Sequence, residues 1–283
     1  MMDCKKCLLK LKNMQDKIFT KYVHDHFDQV VKYLHEYKST WKGDDLYEVR
    51  TNLKKIRACV DCMENINDTS RIKKVKHRVN KVFHKSGSVR ETQLQLEWLK
   101  KNRLQRTIDA TGIETSLEDS EKKFQKKNPV MIRKLKKKHD TIMKSAKDYE
   151  QEDIIAYFYN SRKTFKEMIQ NDLPEENWHD LRKLTKKILY SYHWLPEDQS
   201  NFLNKITTLD RWDHLQTAIG LWHDEKIRKE WLGSSETFLS DDVKLKKEFD
   251  RAWQKVESSE KTQAKKIRTM LKKEIESIQG LPI

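Results

Sequence analysis

Glycine and proline are scarce in this chain, six and four among 283 residues. A domain built from strands needs a turn roughly every 8–12 residues and β-branched runs between them, so this composition excludes one and leaves long helices. Apolar runs are short as well. None reaches the roughly 18 residues of a membrane-spanning helix, so no membrane partner is expected. The opening MMDCKKCLLKLK carries Asp3 and too short an apolar core for a secretory signal, which points to a cytoplasmic protein. Cysteine is limited to two pairs, Cys4 with Cys7 and Cys59 with Cys62. That spacing occurs in zinc knuckles and redox motifs. Here both pairs sit in helical pattern without the flanking turns of a knuckle, so reduced, partly buried thiols are expected, with no metal and no cofactor. Acids are locally missing too. Lys and Arg number 59 against 44 Asp and Glu, a formal charge of +15, and such a surplus calls for a polyanionic partner.

Apolar residues at steps of three and four mark helices over residues 8–37, 46–63, 71–90, 133–147, 154–169, 178–194, 202–219, 221–232 and 243–278. Ser86, Gly87 and Ser88 read as an interruption, with a restart through Leu94, Trp98 and Leu99. The stretch over 107–129, rich in Thr, Ser, Asp, Glu and Lys, reads as a linker between a first helical half, 1–128, and a second, 129–283. Within WHDLRKLTKKILYSYHW, Trp178, Leu181, Leu184, Ile188 and Tyr192 form a packing face. His179, Arg182, Lys186, Tyr190 and His193 form a second stripe, and no acid occurs between Leu181 and Pro196. The same device recurs. Arg50, Lys54 and Arg57 run beside the apolar face of Leu46–Met63, while eight Lys or Arg and no acid lie between Arg71 and Arg90, with Lys74, Arg78, Lys81 and Lys85 on one face.

The chain repeats itself. LYEVRTNLKKIR, from Leu46, aligns with WHDLRKLTKKIL, from Trp178, pairing Arg50 with Arg182, Lys54 with Lys186 and Ile56 with Ile188. Downstream, Gly87, Arg90 and Glu91 fall on Gly220, His223 and Asp224 at nearly the same offset. A period near 130 residues is too long for a solenoid and implies two related helical halves about a pseudo-twofold axis.

These residues resemble the conserved-histidine α-helical domain, CHAD. His179, Asp180, Leu181, Arg182, Lys183, Lys186 and Lys187 match the second copy of its first motif, H-x-L-R-x-x-x-K/R-R. Leu215, Gln216, Gly220, His223 and Asp224 match LQxxxGxxHD. The first copy fits as Arg50, Lys54, Lys55 and Arg57, then Gly87, Val89, Arg90 and Glu91. Tyr47 stands where the first copy should carry its histidine, and Glu91 replaces an aspartate. The resemblance covers nearly the whole chain, 1–283 as one CHAD-like domain. It implies an all-α fold of two four-helix bundles in one compact domain with a basic central channel, and non-catalytic binding of inorganic polyphosphate. Polyphosphate granules or polyphosphate-metabolising proteins would be its wider partners. The implied contacts are Arg50, Lys54, Arg57, Arg90, Arg182, Lys183 and Lys186, with His179, His193 and His223 as donors. Lys74, Arg78, Lys81, Arg133, Lys134 and Lys137 would widen the capturing field.

Two other classes compete. His-Asp dipeptides at His24, His139, His179 and His223 suggest a metal-dependent phosphohydrolase, but no further ligand spacing accompanies them. The charge also permits nucleic-acid binding, against which the basic stripes lack interleaved exposed aromatics for base stacking.

Overall fold

The structure is a computed structural model that describes residues 2–108, 110–146, 149–170, 173–195, 209–235 and 242–279. It is all-α: eight α-helices among the described residues, α1 (Met2–Thr40), α2 (Gly43–Ile66), α3 (Ser70–Asn102), α4 (Ala110–Ser145), α5 (Gln151–Gln170), α6 (Trp178–Tyr192), α7 (Leu209–Ser235) and α8 (Val243–Gln279). A short 3-10 turn, Glu175–Asn177, leads into α6. None of the described helices is long and apolar enough to cross a membrane.

The chain forms two compact units. Unit 1 comprises Met1–Leu96, Ile113–Phe158 and Tyr190–Glu197; unit 2 comprises Glu97–Gly112, Tyr159–Leu189 and Asp198–Ile283. In unit 1, α1 packs on α2, and Phe27, Leu34, Leu53, Ile56, Met63 and Ile72 are fully buried. In unit 2, α7 packs on α8. Its core is aromatic: Phe165 tilts against Trp212 at 4.6 Å and Trp178 meets Trp222 edge-on at 5.0 Å. Burying one such large side chain contributes about 1.5–3 kcal/mol, which fixes which helix face turns inward.

The linker expected over 107–129 is instead largely helix, the first half of α4, and the compact units do not divide at 128. The polar side chains that suggested a linker tie α4 to its neighbours. Asn128 is buried and donates to Leu34 O at 2.7 Å, Gln125 donates to Tyr37 O at 2.9 Å, and Glu121 accepts from Tyr37 Oη at 3.1 Å and from Gln93 at 2.8 Å. Phe124, Met131, Ile132, Leu135 and Ile142 are buried apolar residues of the same helix. Pro129 lies within the helix.

The interruption expected at Ser86, Gly87 and Ser88 is also absent. α3 runs unbroken from Ser70 to Asn102 and ends where Arg103, at φ 59, turns left-handed and Leu104 N–H reaches back to Leu99 O at 3.0 Å. Likewise the expected helices over 202–219 and 221–232 are one helix from Leu209, and 202–208 lies outside the described residues. Cys59 and Cys62 are buried in the unit 1 core and form no disulfide among the described residues. The side chains of Cys4 and Cys7 lie outside the description.

Gly87 persists inside α3 because of what lies against it. A methyl group there would overlap Nη1 of Arg50, which donates to Phe83 O at 2.8 Å. In a helix interior Gly→Ala ordinarily gains about 1 kcal/mol. Gly87→Ala should instead destabilise, on the order of 1–2 kcal/mol, because displacing the guanidinium forfeits a charge-assisted hydrogen bond. Thermal unfolding checks the sign; an increase in Tm would show that Arg50 relocates at no cost.

Candidate functional site

Unit 1 holds two groups of cations. In the first, α2 carries Arg50 and Arg57 one above the other, and both guanidinium groups lie over the ring of Phe83 in α3, at 4.3 and 4.5 Å. Burial lowers the proton affinity of Arg50; Glu91 opposes this, and Arg57 and Arg90 add to it. Two arginines thus act on Arg50 against Glu91, while Asp61 raises the proton affinity of Arg57 against its burial. Lys54 is half-buried one turn beyond Arg50. Arg90 lies close to Gly43, where a methyl group would sit 2.5 Å from its Nη1.

The second group spans α3 and α4. Lys85 has its pKa lowered by partial desolvation and then by Lys127, Lys81, Arg78 and Lys134, all of them positive. Lys81, Lys127 and Lys134 are exposed, and the Nε of Arg78 is buried without a hydrogen-bond partner among the described residues. Lys74, Arg133 and Lys137 are exposed on the same two helices. Neither Lys85 nor Lys127 was among the contacts inferred from the sequence. Lys127 fell in the supposed linker, and its register relative to α3 appears only once α4 is seen to be helical.

Unit 2 gathers its cations on α6 and α7. Arg182 Nε donates to Gln216 O at 3.1 Å, and a methyl at Gly220 would lie 2.9 Å from its Nη2. The parallel with unit 1 is close: Arg50 is bonded to the carbonyl four residues before Gly87, Arg182 to the carbonyl four residues before Gly220. Lys186, one turn on, has its pKa pulled down to about 8 by burial and Arg182, against the raising influence of Asp213 and Asp224. The rings of His179 and His223 lie 4.3 Å apart, and His179 Nδ1 is buried without a hydrogen-bond partner among the described residues. Lys183 is taken up by Asp180 at 2.8 Å, on the exposed side of α6.

His193 does not join that group. It belongs to unit 1, stacks on Tyr22 at 6.2 Å and has its pKa lowered by desolvation and by Lys55. The α6 stripe therefore divides at Tyr190: His179, Arg182 and Lys186 lie in unit 2, and Tyr190 and His193 in unit 1. Tyr47, at the position matching His179, is 56% exposed.

The family model of the CHAD domain matches residues 21–233, and the chain belongs to that family. The crystal structure of the CHAD domain from the plant Ricinus communis has a similar fold, with a TM-score of 0.58 at 12% sequence identity, over 94% of this chain and 92% of that one. No curated protein matches the chain.

Burial, His223, Lys183 and Arg182 together lower the pKa of His179 to about 4, with Asp180 opposing them. A histidine whose folded pKa lies below the unfolded value of about 6.5 binds protons more readily when unfolded, so stability falls as pH drops through the window from 6.5 to about 4. His223 is shifted in the same direction. Thermal melts at pH 7 and pH 5 should show a smaller acid-induced fall in Tm for His179→Gln than for the wild type; equal falls would place the acid sensitivity elsewhere.

Proposed function

We propose that the chain is a non-catalytic binder of inorganic polyphosphate, held by the basic faces of its two units. The observation that carries this reading is the face of α3 and α4, where exposed Lys81, Lys127 and Lys134 and half-buried Arg78 all lower the proton affinity of Lys85. Such a face costs self-repulsion in the free protein, and a linear polyanion with about one charge per phosphate relieves it along its length. Arg50, Arg57, Arg90 and Arg182 supply guanidinium forks suited to unesterified phosphate oxygens; Lys54, Lys81, Lys85, Lys127, Lys134 and Lys186 supply point charges. His179 and His223 serve as neutral hydrogen-bond partners near pH 7, because both have lowered pKa values. Lys183 contributes less than the sequence suggests, being paired with Asp180. A cytoplasmic setting and association with polyphosphate granules or polyphosphate-metabolising proteins complete the proposal.

Most rings beside these cations are not free to stack on bases. Phe83 lies under two guanidinium groups and Trp222 is buried. Exposed Tyr47 favours a second reading, single-stranded nucleic acid on unit 1, since an open ring on the helix that carries Arg50 and Arg57 can stack on a base. The hydrolase reading lacks support in the placement of its dipeptides. His24 meets His139 in unit 1 and His179 meets His223 in unit 2, and no group of three or more His, Cys, Asp or Glu among the described residues could hold a metal.

Titration with long polyphosphate and with single-stranded DNA of equal charge tests the reading. Polyphosphate should bind more tightly, with affinity falling by roughly 0.7–0.9 in log–log slope per phosphate neutralised as salt rises. Replacing Lys81, Lys127 and Lys134 by Ala should weaken polyphosphate at least tenfold, whereas the equally charge-changing replacement of Lys247, Lys265 and Lys272 on α8 should have little effect. Equal losses would mean that only the overall field attracts polyanions. Tighter DNA binding, lost in Tyr47→Ala, would favour the second reading.

Lys186 gives an independent test. With its pKa at about 8 in the free protein, it is largely neutral at pH 8.5, and a bound polyanion favours its charged form. Complex formation at pH 8.5 should therefore take up a fraction of a proton, seen by calorimetry in buffers of different ionisation enthalpy. Lys186→Arg should bind without that uptake. Unchanged uptake in the variant would remove Lys186 from the site.

A further inference from the structure

The four His-Asp dipeptides of the sequence meet in the fold as two pairs, and the pair in unit 1 has a geometry that anion binding does not explain. His24 on α1 and His139 on α4 face each other, with His24 Nδ1 3.0 Å from His139 Nε2 and the ring centroids 5.1 Å apart. The outward nitrogen of each ring lies beside a carboxylate: His24 Nε2 is 3.4 Å from Asp28, and His139 Nδ1 is 3.4 Å from Asp140. Phe27, fully buried, packs edge-on against His139 at 5.3 Å and limits rotation of that ring. The His139 side chain is 20% exposed and that of His24 49%, so the pair is open to solvent on the α1 side.

We propose that His24 and His139 form a binding site for a borderline divalent transition metal such as Zn²⁺, Ni²⁺ or Cu²⁺. Two imidazole nitrogens each 2.0–2.1 Å from a tetrahedral metal stand about 3.3 Å apart, so the observed separation needs to open by only a few tenths of an ångström. In the free protein one ring must donate to the other. To accept a metal, the donating ring moves that proton to its outward nitrogen, where Asp28 or Asp140 accepts the hydrogen bond. Both inward lone pairs are then available and no net proton is lost. A carboxylate behind each ligating imidazole is the arrangement that fixes the metal-binding tautomer and raises ligand basicity. The two ligands come from different helices, so a bound metal also clips α1 to α4. The remaining coordination positions fall to water, since no third His, Cys, Asp or Glu among the described residues completes a larger cluster. Imidazole ligation selects Zn²⁺, Ni²⁺ and Cu²⁺ over Mg²⁺, which prefers an all-oxygen octahedron.

The test uses the full chain, stripped with chelator and free of polyphosphate, titrated with Zn²⁺ by calorimetry while the imidazole resonances of all ten histidines are followed by NMR. One equivalent should bind, shifting His24 and His139 first and raising Tm, while Mg²⁺ does neither. His24→Gln and His139→Gln should each weaken binding at least tenfold. Asp28→Asn and Asp140→Asn should weaken it by about tenfold, the lower end of the effect of such supporting carboxylates. His179→Gln, in unit 2, should bind as the wild type does. Were Zn²⁺ to shift other histidines first, or to bind His24→Gln and His139→Gln as tightly as the wild type, the pair would be a hydrogen bond between two helices and nothing more. The resonance map on the wild type decides this even if a variant folds poorly.

Discussion

A guanidinium group cannot be drawn into a helical interface unless its donors find acceptors there, because the cost of an unpaired buried charge exceeds anything helix packing returns. Both units meet that constraint in the same way. An arginine on one helix, Arg50 or Arg182, reaches a backbone carbonyl on another, and a glycine one turn further on leaves the space the guanidinium occupies. The glycine must be in the helix for the arginine to be there at all. The spacing between the arginine motif and the glycine motif in each copy follows from that one accommodation.

Once these arginines are fixed, the electrostatics around them are set by which acids accompany them. In unit 1, Glu91 acts on Arg50 against Arg57 and Arg90. In unit 2, Asp213 and Asp224 act on Lys186 against Arg182. Asp61 acts in the same way on Arg57, and the lysines of α3 and α4 add a further run of positive charge to unit 1. The two copies are alike in how they hold an arginine and unlike in what surrounds it: an exposed tyrosine in one, a pair of closely apposed neutral histidines in the other.

The helical class, the repeat and the arginine–glycine correspondence were all legible in the sequence, because apolar periodicity and motif order record them directly. Two features were not. A Ser-Gly-Ser triplet in a polar context carries the same local signal whether it ends a helix or makes room for a neighbour, and only the presence of Arg50 beside Gly87 tells the two apart. The residues over 107–129 were misleading for a related reason. Glu121, Gln125 and Asn128 have the composition of a loop, yet they hydrogen-bond to Tyr37, Gln93 and main-chain carbonyls of α1, and side-chain partners so distant in sequence leave no periodic trace. Missing that helix meant missing Lys127. The division of the α6 stripe was equally hidden, since helical spacing puts His193 in line with Arg182 without saying which core each end joins.

That division follows the way the chain is threaded. Each unit is assembled from three separate stretches, and α6 gives its residues through Leu189 to one and those from Tyr190 to the other. Two halves laid end to end in the sequence would each survive excision as a continuous fragment, but here no single cut yields either unit whole. A chain severed near 128 would leave the first unit without residues 129–158 and the second without 97–112. A frameshift in the middle of the chain therefore removes residues from both units at once.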